Sequence, residues 1–179
     1  MSEFRLYDVS DGYINYLRQF DKRVYSNKED GRVHGRKYLG VVFEINGYKY
    51  FVPMSSPKKS DYIYDKGDKL IRKNVTPIFR MTALNDNKKI EVKGTLRFSN
   101  MIPVKETVLI DYDVVNEKDE DYKILVLKEI DFIRKNISKI KKNAKLIYNQ
   151  KAKNLNIGYL ESTLDFKMLE EKSKEYTAN

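Results

Sequence analysis

Two β-rich runs joined by Asn46-Gly47 constrain the fold of this chain more than any other feature. Residues 38–45 and 48–54 are rich in aromatic and β-branched side chains. Asn-Gly is favoured in type I′ turns, because both central positions of that turn need a positive φ. The sequence therefore predicts a tight antiparallel hairpin at this point.

The segment that leaves the second strand of this hairpin carries the candidate chemistry. It consists of two hydroxyl residues, a proline and two lysines, namely Ser55, Ser56, Pro57, Lys58 and Lys59. Hydroxyl groups donate hydrogen bonds to phosphate oxygens, and lysines neutralise the phosphate charge. The segment is therefore either a phosphate-binding loop or an ordinary solvated loop.

The rest of the first two thirds is predicted to be mostly strands. Residues 3–8 alternate as a strand, and Ser10 or Asp11 then caps a short helix whose apolar stripe is Tyr13, Ile14, Leu17 and Phe20. Residues 21–37 are predicted to form a long loop, and 59–75 a polar excursion over the surface. Further strands are predicted at 76–82, 89–98, 101–104 and 107–110, with Pro103 at an edge or a bulge.

The hydrophobic period changes at about Asn116 or Asp119. Apolar residues then recur every three or four positions, which predicts a long amphipathic helix; they are Leu127, Ile130, Ile133, Ile137, Ile140, Ala144 and Ile147. A last helix is predicted from about Ser162 to Tyr176, with Leu164, Met168 and Leu169 apolar. Strands followed by helices indicate an α+β fold: an antiparallel sheet, a short N-terminal helix, a long basic helix and a C-terminal helix.

Composition excludes several kinds of site. The chain has no cysteine and one histidine, His34, so thiolate metal sites and two-histidine ribonuclease pairs are excluded. A Ser-His-Asp triad would have to use His34. We see no phosphate-binding glycine motif, signal peptide or membrane span, and we expect a cytoplasmic protein of one domain, residues 1–179.

Positive charge is concentrated in the predicted long helix. Residues 123–153 hold ten Lys or Arg against only Glu129 and Asp131, whereas the whole chain has a formal net charge of +9. This concentration favours a polyanionic partner, although a basic helix face can also be merely solvated. The 14 tyrosines can either stack on bases or fill the core.

An acidic run precedes this helix. It contains Glu117, Asp119, Glu120 and Asp121. These carboxylates are potential ligands for a hard cation, but a favourable interaction with the helix dipole is the simpler explanation. We therefore predict no metal site and no cofactor.

Several segments, in order along nearly the whole chain, resemble the ToxN/AbiQ family of endoribonuclease toxins from type III toxin–antitoxin systems. The hairpin and its exit carry the clearest resemblance, at 38–45, 47–50 and 55–59. Weaker similarity lies at 13–17, 20–21, 96–104, 127–136 and 169–172. The resemblance implies a compact twisted antiparallel sheet similar to the Kid/MazF toxin fold.

The resemblance also implies an activity and partners. It implies metal-independent RNA cleavage by attack of the ribose 2′-OH on the adjacent phosphate, which leaves a 2′,3′-cyclic phosphate. It implies a pseudoknot antitoxin RNA that the toxin cuts from a repeat transcript, which then inhibits it in a closed ring of protein and RNA. A role in growth arrest and phage defence follows from the same resemblance.

The family's site residues transfer to this sequence position by position. Its hydroxyl pair falls on Ser55 and Ser56, and its lysine on Lys58. A basic residue before the hairpin falls on Arg36 or Lys37, and a tyrosine of the first helix on Tyr13. In this chain the first hydroxyl residue is serine, whereas the family often has threonine there.

Each of these residues is predicted to have its own role in catalysis. Lys58 would stabilise the phosphorane charge, Ser56 would bond the phosphate or the 2′-OH, and Ser55 would position the phosphate. RNA is predicted to contact Tyr13 and a set of lysines: Lys59, Lys128, Lys135, Lys139, Lys142 and Lys145. The alternatives are a non-enzymatic RNA-binding protein and a DNA-binding regulator, although no helix-turn-helix signal supports the latter.

Overall fold

The computed structural model of the protein describes residues 4–28 and 33–177. Within these ranges the fold is α+β, as predicted. Its helices are α1 (Asp11–Phe20), α2 (Glu120–Ala152) and α3 (Phe166–Glu175). Its strands are β1 (Arg5–Val9), β2 (Tyr38–Ile45), β3 (Tyr48–Ser55), β4 (Tyr62–Asp65), β5 (Asp68–Ile71), β6 (Ile78–Leu84), β7 (Ile90–Arg97), β8 (Ile102–Pro103) and β9 (Leu109–Asp111).

The predicted hairpin is confirmed and lies in the middle of the main sheet. Asn46 and Gly47 have φ angles of 50° and 81°, as the tight turn between β2 and β3 requires. The described residues form an antiparallel sheet of seven strands in the order β6-β7-β3-β2-β1-β9, and β8 also pairs with β3. The last residue of β3, Ser55, therefore lies near the centre of the sheet's width.

The first helix begins where its sequence predicts. The hydroxyl of Ser10 accepts a hydrogen bond from the backbone N–H of Tyr13, so Ser10 is the N-cap. The predicted stripe is buried except at its end, because Phe20 remains 43% exposed. Its ring packs edge-on against Tyr16 at the helix end instead.

The predicted surface excursion contains a hairpin of its own. Strands β4 and β5 pair around Lys66 and Gly67, both with positive φ. The sequence did not reveal these strands, because both are short and mostly exposed and so lack the alternation that marks a half-buried strand.

The long helix α2 packs across β2, β6 and β7. Asp119 caps it by accepting a hydrogen bond from the backbone N–H of Tyr122, so part of the acidic run serves the helix N-terminus. Leu127, predicted to be in the apolar stripe, is 47% exposed, whereas its neighbour Val126 is fully buried. Successive helical residues lie about 100° apart, so only one of this pair can face the sheet.

The last helix begins at Phe166, four residues later than predicted, because Asp165 caps it. Its buried Glu170 accepts hydrogen bonds from the hydroxyls of Tyr50 and Tyr148. These bonds join α3 to both β3 and α2.

Residues 29–32 of the predicted 21–37 loop lie outside the described residues. No helix within the described ranges is long and apolar enough to cross a membrane. The similarity to the Kid/MazF fold stays a prediction.

Candidate active site

Ser55 is held beside a buried guanidinium group. It pairs with Thr95 of β7 and is 7% exposed. Nη1 of Arg36 donates one hydrogen bond to the Ser55 Oγ at 2.9 Å and another to the Met54 carbonyl at 2.7 Å. The end of β3 therefore places a hydroxyl and a positive charge side by side.

Several further contacts fix the orientation of Arg36. Its Nε donates to the Ser26 carbonyl at 3.0 Å, and its guanidinium lies 4.5 Å from the centroid of the Tyr25 ring. The planar group is therefore held in one orientation before any ligand arrives, as suits recognition of a phosphate.

The neighbouring basic candidate, Lys37, is directed elsewhere. Its Nζ forms an ion pair with Asp8 at 2.8 Å and lies 4.3 Å from the centroid of the Tyr112 ring. Of the two basic residues that the sequence left open, Arg36 is the one that contacts Ser55.

Ser56, Pro57 and Lys58 follow Ser55 as an exposed turn. Its far end is held by Asp61, which is 1% exposed and accepts a hydrogen bond from the Lys58 backbone N–H at 2.8 Å. Asp61 also accepts a hydrogen bond from Nε of Arg80 at 3.0 Å. This buried ion pair ties the turn to β6.

The turn borders a cavity of about 280 Å³, which we call the Ser55 cavity. It lies between the loop before β2, the end of β3, β7 and the first part of α2. Its lining residues are Val33, His34, Gly35, Arg36, Lys37, Met54, Ser55, Ser56, Pro57, Lys93, Tyr122, Leu125 and Glu129. Cations, hydroxyls, an imidazole and a carboxyl group therefore meet in one place.

His34 lies in the wall of this cavity. Its Nε2 is 3.0 Å from the Asp119 carboxylate, and its ring stacks on Tyr122 at 3.7 Å between centroids. The sequence placed His34 only in a loop, but the structure brings it to the same cavity as Ser55. No contact between His34 and either serine is present in the described part of the chain.

A larger cavity of about 540 Å³ lies between β1, β9 and the middle of α2. Apolar side chains such as Phe4, Leu6 and Ile133 provide much of its lining. We place the site in the smaller cavity because the hydroxyls and a fixed guanidinium converge there, and chemistry on phosphate needs such groups.

Comparisons with known proteins identify the family. Residues 5–174 match the family model of toxin ToxN of type III toxin–antitoxin systems. The chain belongs to the ToxN toxin family. The endoribonuclease AbiQ of Lactococcus lactis subsp. lactis is 31% identical over 173 residues, which cover 97% of this chain and 89% of AbiQ.

Solved structures of type III toxins share the fold. A type III toxin whose structure addresses its selective inhibition by a non-coding RNA pseudoknot is 28% identical, with a TM-score of 0.76 over 98% of this chain and 99% of that one. The structure of AbiQ, a lactococcal anti-phage endoribonuclease, is 27% identical, with a TM-score of 0.76 over 97% of each chain.

The structure separates the RNA-binding candidates of this ToxN family member into two groups. Tyr13 is 0% exposed and donates its hydroxyl hydrogen to the Pro103 carbonyl at 2.6 Å, so its burial contradicts the predicted RNA contact. The lysines are on the surface, although Lys128 is partly covered and contacts the Leu84 carbonyl. Lys135 pairs with Asp131, whereas Lys59, Lys139, Lys142 and Lys145 are exposed.

The sequence reasoning missed four residues of the candidate site. Asp61 and Arg80 form the buried pair that holds the turn, and Lys93 brings a further cation to the cavity wall, where it is paired with Glu91. Glu129 brings a carboxyl group to the same cavity. The fold brings all four residues to the site, and no local sequence motif indicates their role. A charged residue within an otherwise apolar strand, as Arg80 is in β6, was the one available signal.

Proposed function

We propose that the Ser55 cavity is the active site in which the protein cuts RNA without a metal ion. The ribose 2′-OH attacks the adjacent phosphate, and the products carry a 2′,3′-cyclic phosphate and a 5′-hydroxyl. The observation that supports this most directly is the Arg36 guanidinium fixed 2.9 Å from the Ser55 Oγ, at the end of the strand from which the exposed Ser56 and Lys58 follow along the chain.

The protein is an endoribonuclease toxin of a type III toxin–antitoxin system, because it belongs to the ToxN family and aligns with AbiQ over nearly the full length of both. This relationship decides against the non-enzymatic RNA-binding protein and the DNA-binding regulator. A role in growth arrest and phage defence agrees with the anti-phage activity of AbiQ.

Each site residue has a proposed role. Arg36 and Lys58 stabilise the negative charge of the phosphorane. Arg36 is buried, and a fixed charge acts more strongly where water is excluded. Ser56 donates a hydrogen bond to the scissile phosphate, and Ser55, held by Arg36, positions that phosphate. Lys37 takes a structural role through Asp8 in this scheme. The need for a 2′-OH confines cleavage to RNA.

The inhibitor in this proposal is a pseudoknot antitoxin RNA that the toxin cuts from a repeat transcript. Selective inhibition of a similar toxin by an RNA pseudoknot supports it. The exposed lysines of α2 would hold the RNA by phosphate contacts, in a closed ring of alternating protein and RNA in the cytoplasm. Residues 1–179 would act as one toxin domain.

Analysis of the cleavage products tests this chemistry. The purified protein is incubated with a bacterial messenger RNA, with and without EDTA, and the new ends are mapped. We expect 2′,3′-cyclic phosphate and 5′-hydroxyl ends in equal yield under both conditions. A single 2′-deoxynucleotide 5′ to the cut should abolish cleavage there and leave other cuts unchanged.

Two results would contradict the proposal. One is cleavage that EDTA abolishes and magnesium restores. The other is efficient cleavage at the 2′-deoxy position, which would show that another nucleophile attacks the phosphate.

A further inference from the structure

Glu129 is a buried acidic residue that the roles above leave unused. It lies on α2, is 7% exposed and lines the Ser55 cavity. Within the described part of the chain, its carboxyl group has no hydrogen-bond or ion-pair partner. An unpaired buried carboxyl group opposes folding, so stability does not explain why it is there.

Gly94 of β7 makes room for this carboxyl group. A Cβ atom at position 94 would lie 2.1 Å from the Glu129 Oε1 and 2.9 Å from the Met81 Cε, so no larger residue fits without displacing them. Glycine inside a strand usually weakens that strand. Its presence at position 94 therefore indicates that the site uses the space that a side chain would fill.

The strand register brings the Glu129 carboxyl close to the candidate serines. Ser55 pairs with Thr95 in the antiparallel β3–β7 ladder, so the next step of this register sets Ser56 opposite Gly94. Because the Glu129 carboxyl occupies the space over Gly94, it lies beside the turn that carries Ser55 and Ser56.

Five other ionisable groups line the cavity from the surrounding elements. Arg36 comes from the loop before β2, Lys93 from β7, and His34 and Tyr122 form a stacked pair. Lys93 pairs with Glu91, and His34 with Asp119. Lys37, the remaining charged lining residue, pairs with Asp8.

Burial controls the protonation of Glu129. Desolvation raises the pKa of its carboxyl group from the usual 4.5 to about 8. A base is most effective when its pKa lies near the working pH, because enough of it is unprotonated and it still binds a proton well.

We propose that Glu129 is the general base of the RNA cleavage, which makes it a catalytic residue of the Ser55 cavity. This inference rests on the proposed function. The Glu129 carboxylate takes the proton of the 2′-OH as the bond from O2′ to phosphorus forms. The bond from phosphorus to O5′ breaks, and O5′ takes a proton from the Lys58 ammonium group. Both side chains then exchange protons with water and regain their starting states.

The pH dependence of Glu129→Gln tests this role. Glutamine has nearly the shape of the protonated acid but cannot accept the proton. Cleavage of a fluorescent RNA of random sequence is followed from pH 5.5 to 9. We expect the wild-type rate to rise with pH and to level off above about pH 8. Glu129→Gln should be at least 100-fold slower at pH 8 and show no levelling near that pH.

Two further variants accompany it. Glu171→Gln makes the same chemical change at an exposed position of α3 and should retain the wild-type profile. Glu129→Asp keeps the carboxyl group but withdraws it by one methylene, so it should be at least tenfold slower and still level off with pH. Circular dichroism establishes that each variant is folded.

Three outcomes would overturn the inference. The first is a wild-type rate and pH profile in Glu129→Gln. The second is a wild-type rate in Glu129→Asp. The third is loss of the levelling in His34→Asn while Glu129→Gln keeps it. If Ser56→Ala is inactive and Glu129→Gln cuts RNA at the wild-type rate, then only the role of Glu129 is wrong. If the wild type cuts no RNA at any pH, then both the proposed function and the role of Glu129 are wrong.

Discussion

At the scale of single residues, Glu129 links the stability of the fold to the proposed chemistry. Burial raises the pKa of its carboxyl group to about 8, whereas in the unfolded chain the group titrates near 4.5. Between these values the folded state binds the extra proton, so the folded state loses stability as pH rises through this window. By pH 8 the cost reaches up to about 4 kcal/mol.

Replacing this acid should therefore stabilise the protein in a pH-dependent way. We expect Glu129→Gln to raise the melting temperature at pH 8 by several degrees more than at pH 5. Thermal unfolding of the variant and of the Glu171→Gln control at both pH values measures this. Equal shifts at pH 5 and pH 8 would contradict the burial of an ionisable group at position 129. A variant that gains stability and loses activity is typical of a residue kept for function.

The adjacent residues Arg36 and Lys37 should differ sharply in what their loss does. Arg36→Lys keeps the charge but loses the planar group that bonds Ser55 and Met54, so cleavage should fall by about 10- to 100-fold. Lys37→Met removes the ion pair with Asp8, so it should lower stability by about 1–2 kcal/mol and leave the cleavage rate within a few-fold.

Cleavage rates and urea unfolding curves of both variants decide between these roles. If Lys37→Met is as inactive as Arg36→Lys while its stability is unchanged, then Lys37 is the catalytic cation and the assignment to Arg36 is wrong.

At the scale of structural elements, the turn after β3 depends on Asp61. Its carboxylate holds the Lys58 backbone and pairs with Arg80, which is itself buried. Asp61→Asn removes the negative charge and leaves the Arg80 guanidinium buried without an ionic partner. A change of this kind costs about 3 kcal/mol.

We expect Asp61→Asn to lower the free energy of unfolding by about that amount and to slow cleavage at least tenfold, because Lys58 loses its support. Asp65→Asn, at an exposed position of β4, is the matched control and should be close to wild type. Equal behaviour of the two variants in urea unfolding and cleavage would show that Asp61 does not hold the turn.

The elements that sequence predicts well are those set by local rules. The Asn46-Gly47 turn, the Ser10 cap and the three- and four-residue spacing of α2 each depend on neighbours within one or two turns of chain. The hairpin β4–β5 was missed because it buries little apolar surface. Phe20 and Leu127 were predicted to lie in buried apolar stripes, but both side chains are partly exposed. Periodicity indicates which face of a helix is apolar, but not how far the sheet or helix that covers this face extends.

The site was predictable only in part. The serines and Lys58 follow one another along the chain, so the sequence shows them together. Glu129 and Lys93 reach the cavity through the packing of α2 on β7, which no local pattern encodes. Tyr13 has a side chain that suits both RNA and core, and only its burial settles which it contacts.

At the scale of the whole molecule, positive charge follows one face of α2. Lys135, Lys139 and Lys142 lie three or four residues apart and therefore share a side of the helix, with Lys145 one turn further along. Such a stripe can follow a phosphate backbone and release its counterions, which makes binding sensitive to salt.

The triple variant Lys139→Gln, Lys142→Gln and Lys145→Gln tests this. RNA affinity should fall most at low salt, and the slope of log affinity against log salt should decrease by about 2. A control with the same charge change carries Lys22→Gln, Lys66→Gln and Lys89→Gln, all at exposed positions outside α2. An equal loss in both triple variants would show that only total charge matters.

If RNA is cut in the Ser55 cavity, the reaction needs the exposed hydroxyl of Ser56, and the cleavage rate of Ser56→Ala measures that need. Ser60→Ala is the matched control, since Ser60 is an exposed serine four residues away. We expect Ser56→Ala to lose at least 100-fold in cleavage rate and to no longer arrest growth without antitoxin, while Ser60→Ala behaves as wild type. Full cleavage and full growth arrest by Ser56→Ala would contradict it.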